Sequence, residues 1–158
     1  MDILNHQQIE IKTQRMACEI AECYAQEKEL ILCGLNERGY YLAERLGKEI
    51  GKFTPHLKII LIQVSTEDGV YFEPASSFTK KHVLLIDDVI NSGRTLMDVM
   101  DDVYKDKPAS IRTAFLAKRE HRSFPVKADF VGISLATTLK EHVFFDNSNS
   151  EKLKVYLK

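Results

Sequence analysis

Short apolar runs alternate with longer amphipathic segments along most of the chain. The apolar runs have the length of buried strands, and they cover residues 30–35, 57–64, 83–86 and 111–117. The amphipathic segments repeat apolar residues at helical spacing, and they cover residues 5–27, 40–50 and 96 to about 105. Strands that alternate with helices predict an α/β fold, in which a mostly parallel twisted sheet has helices on both faces.

Polar residues and glycines predict where several of these elements begin and end. Asn5, followed three residues later by Gln8, is a capping pair for the first helix. Gly51 predicts the end of the second helix. Residues 65–80 are polar at first and then mixed, which predicts a loop or a short hairpin. After Arg119 the pattern changes to short apolar pieces.

The composition is that of a soluble globular protein of one domain. The chain has 158 residues, of which 44% are hydrophobic and 28% charged, and its net charge is −1. A net charge near zero gives no overall reason to expect nucleic-acid binding, and no apolar run has the length of a membrane span. The first residues lack the pattern of a secretion signal. Three cysteines without a C-x-x-C pair suit the reducing cytoplasm, which is the predicted location.

The residues most typical of a ligand-binding site follow the third apolar run, residues 83–86. Asp87 and Asp88 stand where that strand should emerge into solvent, and a Ser-Gly-Arg-Thr turn then leads into a helix. Carboxylates accept hydrogen bonds from ribose hydroxyls, whereas a turn and a helix N-terminus bind phosphate through main-chain N–H groups. The sequence contains neither G-x-x-x-x-G-K-[S/T] nor G-x-G-x-x-G, so it gives no support to a P-loop or a dinucleotide site.

Two further polar segments follow neighbouring strands. Residues 36–39 read Asn-Glu-Arg-Gly after the first run, and residues 118–122 read Lys-Arg-Glu-His-Arg after the fourth. Each alone is most simply a solvent-exposed loop. In an open parallel sheet, however, ligands bind outside the carboxyl ends of the strands, and this places both segments beside the acid pair in one crevice.

The segment from Val83 to Thr95 resembles the signature of the type I phosphoribosyltransferases, the enzymes that use phosphoribosyl pyrophosphate (PRPP). The resemblance implies that Asp87 and Asp88 are catalytic residues that fix the ribose. It implies that the ribose and the 5′-phosphate are also bound by Asn91, Ser92, Gly93, Arg94 and Thr95.

Two other stretches resemble one subgroup, the bacterial bifunctional pyrimidine-operon regulator and uracil phosphoribosyltransferase. They are Gly34 to Arg45 and Arg119 to Gly132. The resemblance implies that pyrophosphate is bound by Glu37, Arg38, Gly39 and Arg122, with Arg38 as a third catalytic residue. Asn36 and Glu37 replace a Lys and a Thr of the subgroup, which should weaken pyrophosphate binding. Residues 65–80 are about a dozen residues shorter than the mobile loop of that subgroup.

The remaining residues resemble the hood that covers the base in this family, a segment of about residues 119–158 within the single domain 1–158. The implied base pocket consists of Asn91, Lys118, Leu139 and Lys140, and Thr137 and Thr138 match a Thr-Ser pair of the subgroup. Mg²⁺ is expected to be held by substrate oxygens and waters, with Asp146 as an optional protein ligand. Lys118 resembles a lysine of purine enzymes, but those enzymes carry Asp where this chain has Asn91.

The predicted function is therefore a PRPP-dependent phosphoribosyltransferase of nucleotide salvage, with PRPP and a nucleobase as ligands and uracil as the favoured base. Two alternatives stay open at this point. One is a weakly catalytic PRPP-sensing or nucleotide-sensing regulator that binds RNA, which the near-neutral charge disfavours. The other is a purine phosphoribosyltransferase. Relatives in this family are commonly oligomeric, so a homo-oligomer is expected.

Overall fold

The structure, a computed structural model, describes residues 1–136 and 141–158. The helices are α1 (His6–Cys23), α2 (Asn36–Phe53) and α3 (Arg94–Lys105). The strands are β1 (Asp2–Leu4), β2 (Glu29–Leu35), β3 (Lys58–Ser65), β4 (Tyr71–Glu73), β5 (His82–Ile90), β6 (Ser110–Arg119), β7 (Phe130–Leu135), β8 (Val143–Asp146) and β9 (Lys154–Leu157).

The main sheet has six strands in the order β4-β3-β2-β5-β6-β7. Strands β3, β2, β5, β6 and β7 run parallel to one another, and β4 alone joins the edge in the antiparallel direction. The strand order changes direction between β2 and β5, so the loops that leave these two strands separate and open a crevice between them.

Helices cover both faces of this sheet, as predicted. On one face α1 and α2 pack together, and a core that includes Ile20, Leu46 and Leu84 lies beneath them. On the other face α3 packs through Val99 onto alternate residues of the same strands. Because a strand buried on both faces needs apolar side chains at every position, the continuous apolar runs of the sequence follow directly from this arrangement.

A second, three-stranded sheet has the order β1-β9-β8 and is antiparallel. It differs from the expected hood segment in two respects. Strand β1 comes from the N-terminus, and β7, which lies inside the expected segment, extends the main sheet instead. The expected hood was a continuous segment at the C-terminal end of the chain. The observed second sheet instead pairs a strand from the N-terminus with strands near the C-terminus. Below, the hood means β8 and β9 with their connection.

The predicted start of α1 is confirmed, but two expected boundaries of α2 are wrong. Asn5 and Gln8 exchange reciprocal hydrogen bonds of 2.9 Å each. Helix α2 begins at Asn36 instead of Tyr40 and continues past Gly51 to Phe53. Gly51 does not adopt a positive φ, unlike Gly69 and Gly93, and a glycine in ordinary helical geometry does not end a helix.

Residues 65–80 include the predicted short hairpin. Strands β3 and β4 pair through Gln63 and Glu73, Val64 and Phe72, and Ser65 and Tyr71. The segment therefore extends the edge of the main sheet and leads back to β5. Among the described residues, no helix combines the length and the apolar character needed to cross a bilayer.

Candidate active site

A cavity of about 500 Å³ lies at the carboxyl ends of β2 and β5. Nine of the predicted site residues line it, namely Glu37, Arg38, Asp87, Asp88, Asn91, Ser92, Gly93, Arg94 and Thr95. The structure thus brings together the segment after β2 and the segment after β5, as the parallel topology requires. Thr66, Phe115, Val143 and Phe144 also line the cavity.

The turn from β5 into α3 has the geometry of an anion site. Gly93 precedes the helix with φ 87° and ψ 0°, a left-handed conformation that glycine adopts without strain. Gly93 has no side chain to cap α3, and the first turn contains no acidic residue. The main-chain N–H of Arg94 donates to Oγ of Ser92 at 3.3 Å. The N–H groups of Thr95 and Leu96 and the positive end of the helix dipole stay available at the cavity that these residues line, a combination that favours a phosphate.

The loop after β6 holds this turn in place. The carbonyl oxygen of Ser92 accepts hydrogen bonds from the main-chain N–H groups of Ser123 and Phe124, at 3.2 and 3.1 Å. The guanidinium of Arg94 lies over the Phe124 ring, 5.3 Å from its centre. A Cβ on Gly93 would lie 3.3 Å from a methyl carbon of Val126. The turn is therefore supported from behind, and its open side faces the cavity.

The adjacent carboxylates of Asp87 and Asp88 lie near the carboxyl end of β5 and line the cavity. The main-chain N–H of Asp88 donates to Oδ1 of Asp87 at 2.8 Å. Burial raises the pKa of Asp87 well above its usual range, and the neighbouring Asp88 carboxylate adds to the rise. The pair therefore holds a proton at Asp87 to higher pH than an exposed aspartate would. A carboxyl pair of this kind can both accept and donate hydrogen bonds to vicinal hydroxyls.

The start of α2 forms the opposite side of the cavity. The helix begins without a side-chain cap, and Asn36 has φ 56°. Asn36 donates from Nδ2 to Oγ1 of Thr66 at 2.8 Å and accepts from the main-chain N–H of Thr66 at 3.1 Å. Arg38 lines the cavity from the first turn of the helix, so a second helix N-terminus, with an arginine in it, lies at the same cavity.

Gly39 does not line the cavity but allows α2 to approach β5. A Cβ at this position would lie 2.8 Å from the carbonyl oxygen of Ile86 and 3.3 Å from Oδ1 of Asp87. The distance to the carbonyl oxygen is shorter than a Cβ contact tolerates, so a side chain here would force α2 and β5 apart, and glycine permits the close approach. The resemblance to the family named Gly39 as a pyrophosphate residue, whereas here its visible role is this close approach.

The predicted residues after β6 lie outside the lining of the cavity. The ammonium of Lys118 pairs with Glu120 at 3.7 Å. Arg119 is buried, with 8% of its surface exposed, and its Nη1 donates to Oδ1 of Asn91 at 3.4 Å. Nη1 of Arg122 is buried and finds no hydrogen-bond partner among the described residues.

The hood contributes residues that the sequence reasoning missed. Phe144 lines the cavity, and its ring stacks on Tyr156 with centres 5.6 Å apart and planes 21° apart. The ammonium of Lys154 lies 5.6 Å from the centre of the Tyr156 ring. The only signal in the sequence is the aromatic pair Phe144-Phe145, in which Phe145 is buried in the core and Phe144 faces the other way.

Asp146, the optional metal ligand, lies at the end of β8 and does not line the cavity. A hydrogen bond from Ser148 lowers its pKa, and Lys154 and Arg38 add smaller attractions. The predicted base-pocket residues Leu139 and Lys140, with Thr137 and Thr138, lie outside the described residues. Within the described ranges, no group of three or more His, Cys, Asp or Glu side chains is arranged to hold a metal ion.

Comparison with known proteins points to one family. A family model described as a phosphoribosyl transferase domain matches residues 1–146. The Bifunctional protein PyrR of Macrococcus caseolyticus is 32% identical over 170 aligned positions, which span 99% of this chain and 97% of that protein. The protein of the same name from Listeria monocytogenes is 40% identical over 147 positions, which span 82% of this chain and 79% of that protein.

Solved structures support the fold. The hypoxanthine phosphoribosyltransferase of Trypanosoma cruzi matches with a TM-score of 0.78 at 19% identity, over 98% of this chain and 94% of that chain. A hypoxanthine-guanine phosphoribosyltransferase from Bacillus anthracis matches with a TM-score of 0.74 at 19% identity, over 86% of this chain and 84% of that chain.

Proposed function

The chain belongs to the phosphoribosyl transferase family, and on this basis we propose that it transfers ribose-5-phosphate from PRPP to uracil with release of pyrophosphate. The single observation that carries the proposal is the meeting of three features in one cavity. These are the carboxyl pair Asp87 and Asp88, the start of α3, and the start of α2. PRPP has a ribose between two groups of phosphate, and the cavity offers a matching partner for each part.

The 5′-phosphate binds at the turn before α3. The N–H groups in the first turn of a helix have no partner within the helix, and together with the helix dipole they bind phosphate. Ser92, Gly93, Arg94 and Thr95 form this turn, and Arg94 adds a positive charge. The support from Ser123 and Phe124 behind the turn keeps the site in its binding geometry before the ligand arrives, which lowers the entropy cost of binding.

Asp87 and Asp88 bind the ribose hydroxyls. A carboxylate accepts from a hydroxyl, and a protonated carboxyl also donates. The raised pKa of Asp87 favours one donor and one acceptor in the pair, which suits two adjacent hydroxyls. The role of the pair is to fix the position of C1 of the ribose relative to the base, and such orientation contributes strongly to rate.

Pyrophosphate binds at the start of α2. Arg38 supplies a guanidinium whose paired donors suit phosphate oxygens, and the main-chain N–H groups near Glu37 and Gly39 add to it. Arg122 is a further donor for the leaving group if its side chain turns from its buried position toward the cavity. Glu37 lines the same region, and its carboxylate repels the anion. The site therefore binds pyrophosphate better when a cation partly neutralises the charge of the pyrophosphate.

Mg²⁺ is the ion that the family implies, and the residues present fit it. Mg²⁺ keeps several waters and takes one or two carboxylates beside substrate phosphates, and Asp87 and Asp88 supply carboxylate oxygens in the cavity. When bound, the ion neutralises charge on the pyrophosphate oxygens.

In the reaction, a ring nitrogen of the base forms a bond to C1 while the bond from C1 to the pyrophosphate oxygen breaks. The electron pair of the broken bond leaves with pyrophosphate, and the proton of the ring nitrogen passes to solvent. Arg38 and Arg122 stabilise the negative charge that builds on the leaving group, since preorganised donors act most strongly where charge develops. Asp87 and Asp88 hold the ribose on which positive charge builds.

The base occupies the space between Asn91 and the hood. Phe144 lines the cavity, and its ring, which stacks on Tyr156, offers a stacking surface for a planar base. Leu139 and Lys140 complete the pocket in this proposal, and Lys118 approaches the base only if it leaves Glu120. Uracil is favoured over purines because Asn91 cannot accept a proton from a purine at neutral pH. Purine transfer remains the alternative that Lys118 supports.

A second proposal is regulation. The relatives are named bifunctional, and the subgroup that this chain resembles also binds RNA in its regulatory role. Glu37 and the short hairpin at β4 favour a protein that senses PRPP or a nucleotide and turns over slowly. The net charge of −1 argues against strong RNA binding, since phosphate contacts require clustered Lys and Arg. We further propose a cytoplasmic homo-oligomer, the usual state in this family.

The test is an assay of pyrophosphate release with PRPP, Mg²⁺ and, in turn, uracil, hypoxanthine, guanine, xanthine and orotate. Release with uracil, lost in Asp88→Asn and Arg38→Ala, would support the proposal. Asp98→Asn, which removes an exposed carboxylate of α3, is the control and should retain activity. Tight PRPP binding without release for any base would refute the enzyme and leave the sensor. A gel shift that persists at physiological salt would support RNA binding.

A further inference from the structure

A carboxylate, an imidazole and a hydroxyl lie in a row at the amino-terminal edge of the main sheet. Nε2 of His82 lies 3.2 Å from Oε2 of Glu27, and Nδ1 of the same ring lies 2.7 Å from Oγ of Ser110. His82 and Ser110 are the first residues of β5 and β6, and they are partners in the parallel pairing of these strands. Glu27 belongs to the connection between α1 and β2. Three separate parts of the chain therefore bring these groups together.

The row of groups is remote from the PRPP cavity. The cavity lies at the carboxyl ends of β2 and β5, whereas His82 stands at the amino end of β5. His82 and Asp87 lie five positions apart on this strand, which at about 3.3 Å per residue is a distance of roughly 16 Å. The proposed transfer of ribose-5-phosphate does not use Glu27, His82 or Ser110, so any chemistry at this edge is independent of it.

The two contacts of His82 determine the tautomer of its neutral ring. A carboxylate has only acceptor atoms, so the ring must present its N–H to Glu27, and this is Nε2. Nδ1 is then the unprotonated nitrogen, and it accepts the hydrogen of the Ser110 hydroxyl. Unrelated serine hydrolases activate their nucleophile by the same order of groups, and here the two ring nitrogens exchange places. Both distances are within the reach expected of a nucleophile, its base and the group that orients the base.

The imidazole is held in place and remains partly open to solvent. Tyr24, which is only 1% exposed, packs against the ring with centres 6.0 Å apart and planes at 63°. The His82 side chain keeps 26% of its surface exposed and that of Glu27 keeps 42%, and Ser110 is half-buried. The base is therefore fixed by its neighbours, while the exposure leaves room for a small molecule to approach the hydroxyl.

The main chain at Ser110 offers a hydrogen-bond donor beside the hydroxyl. Its N–H makes a long contact of 3.4 Å with the carbonyl oxygen of Lys81, which already accepts from the N–H of Ala109 at 2.8 Å. An N–H that is weakly engaged can turn to an oxyanion that forms on a group bonded to Oγ, and donors aimed at developing charge lower the barrier.

We propose that Glu27, His82 and Ser110 form a second, nucleophilic site, in which Ser110 takes the acyl group of small activated esters and water then removes it. Oγ of Ser110 bonds to the carbonyl carbon while its proton passes to Nδ1 of His82. The bond from that carbon to the leaving oxygen breaks, the electron pair leaves with the oxygen, and the imidazolium returns the proton to it.

Hydrolysis of the acyl group restores the serine. Water bonds to the carbonyl carbon as Nδ1 of His82 takes one of its protons, the bond to Oγ breaks, and Oγ recovers that proton. Ester and water thus become acid and alcohol. Glu27 is a positioning residue, which holds the Nε2–H and stabilises the imidazolium. Because the groups lie at a partly exposed edge, the site selects compact esters with good leaving groups.

The first test maps the reactive serine of the parent protein and requires no variant. The protein is incubated with an alkyl fluorophosphonate, in which Oγ of a reactive serine displaces fluoride and keeps the phosphonyl group, and labelled peptides are quantified by mass spectrometry. We expect Ser110 to carry at least about tenfold more label than any other serine, since a positioned general base contributes about 10²–10⁴-fold.

Substitutions then separate the base from the positioning residue. His82→Gln, which cannot take a proton, should slow the labelling of Ser110 about a hundredfold. Glu27→Gln should slow it at least about tenfold, and Glu27→Asp, which keeps a carboxylate, should recover part of the rate. Ser76→Ala removes an exposed serine between β4 and β5; it is the control and should leave the labelling of Ser110 unchanged. Melting temperature and PRPP binding establish that each variant is folded.

Turnover is measured with 4-nitrophenyl acetate. Acetylation of lysines releases 4-nitrophenolate once per group and stops, whereas hydrolysis at Ser110 continues and should be lost in Ser110→Ala. Three results would overturn the inference: label spread evenly over the serines, labelling of Ser110 that is unchanged in His82→Gln, or continued release as fast in Ser110→Ala as in the parent. The first needs only the parent protein, so it decides the question even where a variant does not fold.

Discussion

Asn36 and Thr66 exchange two hydrogen bonds across the entrance of the cavity, from Nδ2 of Asn36 to Oγ1 of Thr66 and from the Thr66 N–H to Oδ1 of Asn36. The two residues lie at the ends of neighbouring strands, β2 and β3, and 30 positions separate them in the chain. Their contact fixes the first residue of α2, which has a positive φ of 56°, an arrangement that asparagine tolerates better than most residues.

The Asn36–Thr66 pair should therefore support pyrophosphate binding. Thr66→Val removes the hydroxyl acceptor but retains the shape of the side chain, and we expect PRPP affinity to fall about threefold to tenfold, the effect of one hydrogen bond. Calorimetric titration with PRPP and Mg²⁺ measures the loss. Thr66→Ser keeps the hydroxyl and is the control. Equal affinities for the Val and Ser variants would contradict this role.

Gly39→Ala should damage the site more than it damages the fold. The new methyl group would meet the carbonyl oxygen of Ile86 and Oδ1 of Asp87, so the start of α2 must move away from β5 and Arg38 must move with it. We expect PRPP affinity to fall at least about tenfold, since catalytic and binding geometry tolerates only small displacements.

Gly51→Ala is the matched control for that substitution. It lies in the same helix, and no atom lies within 4 Å of the added Cβ. We expect it to raise the free energy of unfolding by about 0.5–1 kcal/mol, the usual gain for alanine over glycine inside a helix, with PRPP affinity unchanged. If Gly51→Ala impaired binding as much as Gly39→Ala, the explanation by close approach would be wrong.

Asp87→Asn should stabilise the protein at neutral pH. The folded-state pKa of Asp87 is raised, first by burial and then by Asp88, whereas in the unfolded chain it returns to about 3.9. Between those two pKa values the folded state holds a proton that the unfolded state has lost, so stability decreases as pH rises through this window. Asparagine removes the dependence and can still accept from the Asp88 N–H.

Melting curves at several pH values measure this effect. We expect the variant and the parent to melt together near pH 4 and to separate toward pH 7, with the variant higher. A gain of about 1 kcal/mol corresponds to about 2–4 °C for a chain of this size. Asp98→Asn, at an exposed position of α3, should show no such divergence. A variant that loses stability at pH 7 would contradict the raised pKa.

Phe144→Leu should weaken nucleotide binding without unfolding the hood. Leucine preserves most of the apolar surface but removes the ring that stacks on Tyr156. Stacking of a base on an aromatic side chain contributes about 1–3 kcal/mol, so we expect affinity for uridine 5′-monophosphate to fall about tenfold or more. Affinity for PRPP, which has no base, should change little. Phe144→Tyr keeps the ring and is the control; parallel losses for both ligands would point to a collapsed hood.

Much of this architecture was predictable because it depends on neighbours in the sequence. Apolar runs predict buried strands, the Asn5–Gln8 pair predicts the start of α1, and the carboxyl ends of parallel strands must share one edge of the sheet. The same reasoning located Asp87, Asp88 and the turn at Gly93 in the cavity, because the two acids lie near the carboxyl end of β5 and the turn comes directly after that strand.

Other features depend on contacts between distant parts of the chain, and no local pattern encodes them. The second sheet pairs β1 with β9 across the whole sequence. Helix α2 begins early because Gly34 lets it pack against β2 and Gly39 lets it pack against β5. A Cβ on Gly34 would lie 2.4 Å from the Cα of Tyr40. The sequence-based prediction treated residues 36–39 as a loop and therefore began the helix at Tyr40.

The sequence by itself determined the sheet, its helices, and the carboxyl pair with its phosphate-binding turn, since strand periodicity and turn chemistry are properties of consecutive residues. Only the tertiary structure decided what stands around that pair. The Asn36–Thr66 hydrogen bonds, the Phe144 ring and the contact of Arg119 with Asn91 each join residues from separate elements. Such contacts depend on the order of the strands in the main sheet and on the packing of the hood against it. Pairing between residues that are distant in the chain produces no periodic pattern in the sequence.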